Sequence, residues 1–241
     1  MQITFIEHSS FLVELPSVTL LFDWYQGKLP RIPAGKPLLV FASHCHSDHF
    51  SPDIFQLDDG KREVRCLLGF DIPLDAEHAD RWKIDKTVYG HCISVQGEEK
   101  LQPLPGVHVE SFFSTDEGVA FLVEADGRTI YHAGDLNWWH WKKDTKEVNE
   151  ERAERFKRFV QPLAGRKIDA AMVPVDPRQE EAGYWTAEYM LQHTAIRALL
   201  PMHQWGKFDF TDGLIDRLNK RMPGAAEKIV RIMADGQKVE V

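Results

Sequence analysis

The sequence predicts a single α/β domain over residues 1–241, and three observations carry that reading. Apolar runs feed into loops rich in possible ligands, and strands followed by helices occur twice along the chain. No linker, low-complexity tract or short-period repeat separates the two halves. With 241 residues, 43% of them hydrophobic, the chain is long enough for one domain with a large core.

The N-terminal third reads as short strands. Ile3–Ile6, Phe11–Leu15 and Thr19–Phe22 are β-rich runs, and Pro16-Ser17 turns the chain between the second and third. Residues 28–37 hold three prolines and a glycine and read as a surface loop. Residues 37–43 form a continuous apolar run suited to a strand buried on both faces. It leads into His44-Cys-His-Ser-Asp-His49, after which Ser51, Pro52 and Asp53 make a good helix start. The histidine cluster therefore falls between a buried strand and a helix, at the sheet edge where α/β proteins usually place ligands.

A second strand-rich stretch runs from Gly106 to His132, with residues 125–128 as a tight hairpin turn, and ends in Ala133-Gly-Asp135. Residues 144–165 contain the clearest helix: Val148, Phe156, Phe159, Val160 and Leu163 favour one face, and Pro162 with Gly165 makes a stop. Ile168–Val175 and Ala198–Met202 read as buried strands, the latter ending at His203. Asp212 is expected to cap a last helix to about Arg221, and residues 228–241 to form closing strands.

The formal net charge of -8 disfavours bulk binding of nucleic acid or anionic membrane. Glu7 and His8 interrupt the first apolar residues, so nothing near Met1 resembles a signal peptide. No apolar run reaches the ~18–20 residues of a membrane span. Cys45, Cys66 and Cys92 make an odd, irregular set, which argues against a disulfide framework. The expectation is a cytoplasmic protein with reduced thiols, with neither nucleic acid nor membrane as a partner.

Chemistry concentrates in the histidine cluster. A His-x-His spacing at a strand end points two imidazoles to one side, because alternate residues share a face. Asp48 and His49 come after the bend and can approach from another side. Four donors in six residues suit a divalent ion, which needs several N or O ligands within ~2.0–2.3 Å. Cys45 should point the opposite way and is left out of the donor set.

His44-x-His46-x-Asp48-His49 resembles the signature of the metallo-β-lactamase superfamily, and other positions follow in order. Glu7-His8-Ser9-Ser10-Phe11, with Leu20-Leu21-Phe22-Asp23, resembles the opening of the branch containing the ascorbate-6-phosphate lactonases. Ala133-Gly-Asp135 and Pro201-Met-His203 resemble the strand ends that supply a bridging aspartate and a last histidine. The resemblance covers nearly the whole chain and implies a four-layer αββα sandwich with metals at one edge of the two sheets. Carried over by position, His44 and His46 bind a first ion, Asp48, His49 and His203 bind a second, and Asp135 bridges them. One or two divalent ions (Zn, Mn or Fe) are the implied cofactors, with a metal-activated water as nucleophile. Asp48 and His49 are the catalytic residues so implied, Asp48 orienting that water or passing a proton to the leaving group.

One departure stands out. The superfamily expects a third histidine for the first ion, but Ser111-Phe-Phe-Ser-Thr-Asp-Glu117 contains none. Either Asp116 replaces it, giving two imidazoles and a carboxylate suited to harder ions, or the first site is weak and the second metal carries the chemistry.

Around this centre, His8, Trp138, His140 and Arg178 are candidate substrate-binding residues. His8 holds an early position near the metal edge. The run Asn137-Trp-Trp-His-Trp141 follows Asp135 and offers flat apolar walls, although helix-start packing also explains it. Arg178 ends another strand and can hold an anionic group, or it is an ordinary surface arginine. Asp23 either orients a ligand histidine or closes a strand, and His132 reads as a structural histidine on an apolar strand. The expected function is a metal-dependent hydrolase cleaving a phosphoester, lactone or similar ester-type bond in a small anionic substrate. The rival is a metal-binding protein without catalysis, motivated by the missing histidine. A nuclease-like activity is disfavoured by the acidic charge, and a homo-oligomer is suggested only by the aromatic content.

Overall fold

The computed structural model describes residues 1–58 and 60–241. Its strands are β1 (Gln2–Glu7), β2 (Ser10–Glu14), β3 (Thr19–Phe22), β4 (Leu38–Ala42), β5 (Val64–Gly69), β6 (Cys92–Val95), β7 (Lys100–Leu104), β8 (Val107–Phe113), β9 (Val119–Ala125), β10 (Arg128–His132), β11 (Lys167–Pro174), β12 (Ala195–Met202) and β13 (Lys238–Glu240). The α-helices are α1 (Ala76–Trp82), α2 (Lys146–Val160), α3 (Trp185–His193) and α4 (Phe210–Arg221). One sheet runs β13-β1-β2-β3-β4-β5-β6 and the other β12-β11-β10-β9-β8-β7.

Alternation along the strands explains why the sheets stack. In β2 and β3, Phe11, Val13, Leu20 and Phe22 join the core that also holds Phe121, Val123 and Ile130 of the second sheet. Leu12 and Leu21, one residue out of step, face a separate core with Ile54, Phe55 and, at its margin, Trp82 of α1. The Phe41 ring meets Phe121 at 5.1 Å, and Phe22 stacks on His132 at 5.0 Å. Phe156 of α2, Met190 of α3 and Leu214 of α4 pack into the larger core. The layers are thus helix, sheet, sheet, helix: the αββα sandwich.

Parallel strands set the site. β3, β4 and β5 run parallel, as do β10, β11 and β12. The loops after β4, β10, β11 and β12 carry His44, Asp135, Asp176 and His203, at the carboxyl edge that binds ligands in such sheets.

Several expectations need correction. The helix after the histidine cluster is a short 3₁₀ turn over Pro52–Gln56, with Ser51 accepting from Asp53 N. Val148 is exposed and Asn149 takes the buried position, because Val148 falls at the margin of the stripe centred on Phe156 and Val160. Asp212 lies inside the first turn of α4 and does not cap it; Asp209 is the boundary residue. Only β13 forms a strand within residues 228–241, because the chain there first makes a 3₁₀ turn and a single bridge from Ile229 to Leu199. Among the described residues no helix is long and apolar enough to cross a membrane.

Candidate metal centre

Ser43 is the point on which the site loops pack. Gly134 (φ +50) and Gly118 (φ +65) press against it: an added Cβ would lie 2.7 Å from Ser43 Cβ at the first and 2.0 Å from Ser43 O at the second. Only glycine combines that backbone with that proximity. Asp23, wholly buried, anchors the same residue: Oδ1 accepts from Ser43 N at 2.7 Å and Oδ2 from Ser43 Oγ at 2.7 Å. Oδ2 also lies 2.6 Å from His49 Nδ1. That bond takes the Nδ1 proton and turns Nε2 of His49 towards the site. Burial works against the charge on Asp23, but His132 and His49 outweigh it and hold the carboxyl below its ordinary value.

His8 (φ +50), Asp23 (φ +44) and His203 (φ +61) are left-handed although none is glycine. Each such residue costs on the order of 1–3 kcal/mol, and all three fall at this edge. The backbone N–H of His203 donates to His8 O at 3.2 Å and ties the first loop to the last.

The donor atoms form three overlapping groups whose members all lie within 4.8 Å of one another: His8 with His49 and His203, His44 with His49 and Asp135, and His46 with Asp116 and Asp135. His49 Nε2 is 3.0 Å from His203 Nε2, and Asp135 Oδ1 lies 3.3 and 2.9 Å from these two nitrogens. His44 Nε2 is 3.0 Å from His46 Nδ1 and 3.8 Å from Asp135 Oδ2. Despite such contacts, among the described residues the buried Asp135 Oδ1 makes no aligned hydrogen bond, nor do His8 Nε2 and His203 Nδ1. Ring nitrogens that face one another around a carboxylate fit a divalent cation with mixed N and O preference.

The electrostatics fit the same occupant. Burial opposes a charge on His49, but Asp135 and Asp23 more than offset it and push the ring up to about 10. With Nδ1 committed to Asp23, the proton a cation would displace is the one on Nε2, beside Asp135. Burial brings His44 down to about 4, helped by His49. Behind His203, burial works against the Asp176 carboxyl, yet His203 and Arg178 keep it at about 2.

The predicted residues fall in different places. Asp48 belongs to none of the three groups; its Oδ2 stands 3.5 Å from His8 Nε2 at the rim. That contact, against partial burial, holds its carboxyl well below the ordinary range. Asp116 stands with His46 and Asp135 where the third histidine is missing, and burial followed by Asp135 pushes its carboxyl up. A cavity of about 280 Å³ opens above, lined by His46, Asp48, Thr115, Asp116, Asp135, Trp139, Trp141, Arg152, Arg178 and His203. Arg178 is bound to Asp176 through Nε at 2.9 Å, and its guanidinium lies 4.3 Å from the Trp205 ring.

Trp138 and His140 do not line this cavity. Trp138 packs on Phe156, Trp185 and Tyr189, and His140 lies 4.8 Å from Trp185. Their odd-numbered neighbours Trp139 and Trp141 stack at 5.9 Å and face the site instead. The chain turns at Asp135 and again where Trp139 N donates to Asn137 O at 2.9 Å, so no simple alternation from Asp135 picks them out. His8 lines a neighbouring cavity of about 270 Å³ with Tyr25 and Trp205. His132 is structural: Nε2 bonds to Ser9 O at 2.8 Å, and Nδ1 accepts from Gly134 N at 3.1 Å.

Sequence reading missed three supporting residues. Thr115 Oγ1 accepts from Asn137 N at 2.9 Å and donates to Asn137 O at 2.7 Å, which fixes the loop after Asp135. Asn149 of α2 holds the Trp141 backbone from both sides at 2.9 and 3.0 Å. Arg152, from the same helix, brings a second guanidinium into the cavity. None of the three lies in a motif, and only tertiary packing places them here.

The profile described as β-lactamase superfamily domain matches residues 2–150, more than half of the chain. A metal-dependent hydrolase of Opitutus terrae is 30% identical over 146 residues, 56% of this chain and 63% of its own length, so the match spans under two thirds of that relative. Another, from Methanosarcina barkeri, is 28% identical and aligns over all of this chain and 98% of its own. Among solved structures, a metallo hydrolase from Ignicoccus hospitalis superposes with a TM-score of 0.62 at 17% identity, covering 99% of this chain and 97% of its own. A diiron β-hydroxylase from Streptomyces venezuelae reaches 0.62 at 10% identity, covering 100% of this chain and 54% of its own. At such identities the likeness is one of fold, and one fold carries different chemistries.

Proposed function

The chain belongs to the metallo-β-lactamase superfamily, and we propose that it acts there as a metal-dependent hydrolase of small, anionic ester-type substrates such as phosphoesters or lactones. The observation that carries the reading is the convergence of five histidines and two aspartates beneath a cavity whose wall holds two guanidinium groups. Asp135 would stand between two ions, with His44, His46 and Asp116 holding one and His49 and His203 the other. A divalent cation (Zn, Mn or Fe) supplies Lewis acidity in such a site and acidifies water towards neutral pH.

The chain's own residues do the rest. Asp48, ionised at neutral pH and set on the cavity rim, is placed to take a proton from water and hand it to a leaving oxygen. Arg152 and Arg178 would hold an anionic group of the substrate away from the bond that breaks. Trp139 and Trp141 offer a flat apolar wall beside them. The cavity volume is at the small end for ligand clefts. A rival reading, a metal-binding protein without catalysis, rests on the missing histidine at 111–117; the grouping of Asp116 with His46 and Asp135 speaks against it.

Protein loaded separately with Mn, Zn or Fe and assayed on phosphomonoesters, phosphodiesters, lactones and carboxylate-bearing esters tests the proposal. Turnover of at least one anionic class, lost in Asp48→Asn, is the expected result. Absence of turnover on every class with every ion would overturn it in favour of the non-catalytic reading.

A further inference from the structure

We propose that His8 is a ligand of the ion held by His49 and His203, taking the place that Asp48 would otherwise fill. The inference rests on reading this centre as a metal site. His8, His49 and His203 offer donor atoms within 4.8 Å of one another and all three are buried, whereas Asp48 joins no such group. His8 Nε2 is buried without a hydrogen-bond partner among the described residues. Its distance to Asp48 Oδ2, 3.5 Å, exceeds that of an ordinary N–H···O bond. A buried ring nitrogen left in this way is costly unless something satisfies it, and a cation shared with His49 and His203 does so.

The backbone is built to aim the ring. The pairing of β1 with β2 shifts register between Phe5 and Glu7, and His8 then adopts φ +50 in the turn. That conformation brings its ring centroid to 4.1 Å from that of His203 and 6.0 Å from that of His49. Trp205, 4.4 Å away, packs against the same ring. The chain that lacks a histidine at 111–117 thus gains one on the opposite side of Asp135. One ion would sit among three imidazoles, and Asp48 would be left free to face the cavity.

Cobalt binding to the wild type, His8→Asn and His8→Gly, measured by competition with a chromophoric chelator and by visible absorption, tests this. Asparagine and glycine both tolerate the left-handed backbone, so the turn is kept. Expected are a loss of affinity for one ion exceeding the roughly 100-fold that outer-shell partners cost and a changed absorption band for that ion. The same loss should appear in an Asp48→Asn background. Unchanged affinity and spectrum in both variants would overturn the assignment. So would a loss that vanishes in the Asp48→Asn background, since His8 would then act only by positioning Asp48. Wild-type protein that takes up no cobalt would instead remove the metal reading itself, and this assignment with it.

Discussion

His8, His49 and His203 lie on one side of Asp135, all buried and all imidazole, whereas His46 and Asp116 lie on the other, both exposed, with a carboxylate where a third ring is expected. The buried side is also the anchored one. Asp23 fixes His49 from behind at 2.6 Å, while Asp176 stands 3.8 Å from His203 Nδ1, near enough for charge attraction but not for a hydrogen bond. On the open side, burial and the neighbouring Asp135 push the Asp116 carboxyl up. The two halves should therefore differ in kind. The buried half is nitrogen-rich; the open half joins the buried His44 to the exposed His46 and Asp116, carries the extra carboxylate and is suited to harder ions.

The largest effect should come from breaking the buried half. His203→Ala removes a ring that touches both His49 and Asp135, and metal affinity there should fall by more than the roughly 100-fold typical of outer partners. Isothermal titration with zinc measures it, and a smaller loss than at Asp116 would reverse the ranking of the two halves. Next comes Asp23→Asn, which keeps the shape but weakens the bond that orients His49. A loss of about 10–100-fold in affinity is expected, read in the same titration.

Asp116 sharpens the contrast from the other side. Asp116→Asn should empty the open half while leaving the buried ion in place, and Asp116→His should shift its preference from manganese towards zinc. Metal analysis of the variants grown with both ions decides this; equal manganese-to-zinc ratios in wild type and Asp116→His would contradict it. The smallest effect separates the two tryptophan directions. Trp141→Ala should raise KM with little change in melting temperature. Trp138→Ala should leave KM alone and lower stability by about 2–3 kcal/mol, less than full burial would cost.

Much of this contrast was legible in the sequence, for a physical reason. The candidate ligands sit at strand ends, where local geometry fixes them: His44 and His46 could be read from the apolar run that stops at them, whereas Asp135 and His203 were picked out by the order of the superfamily motifs. The two-sided burial of β4 and the hairpin turn at Asp126-Gly127 were equally local. What depended on packing between elements was not. Arg152 and Asn149 reach the site from α2, and no short pattern announces them. The inward parity of Trp139 and Trp141 needed the register of the Asp135 turn. Helix α1, at seven residues, and the edge strands β6 and β7, with few buried positions, carry too little periodicity to be read. The place of His8 among the imidazoles depended on a left-handed residue in a turn, which side-chain pattern does not encode.

The most direct test of the two unequal halves is metal content per chain, followed by plasma mass spectrometry while a chelator is raised stepwise. Two ions per chain, one leaving at low chelator and the other held, is the result predicted, with residual metal in Asp116→Asn matching the held ion. One ion at most after loading with zinc or manganese, or two that leave together, would contradict the account.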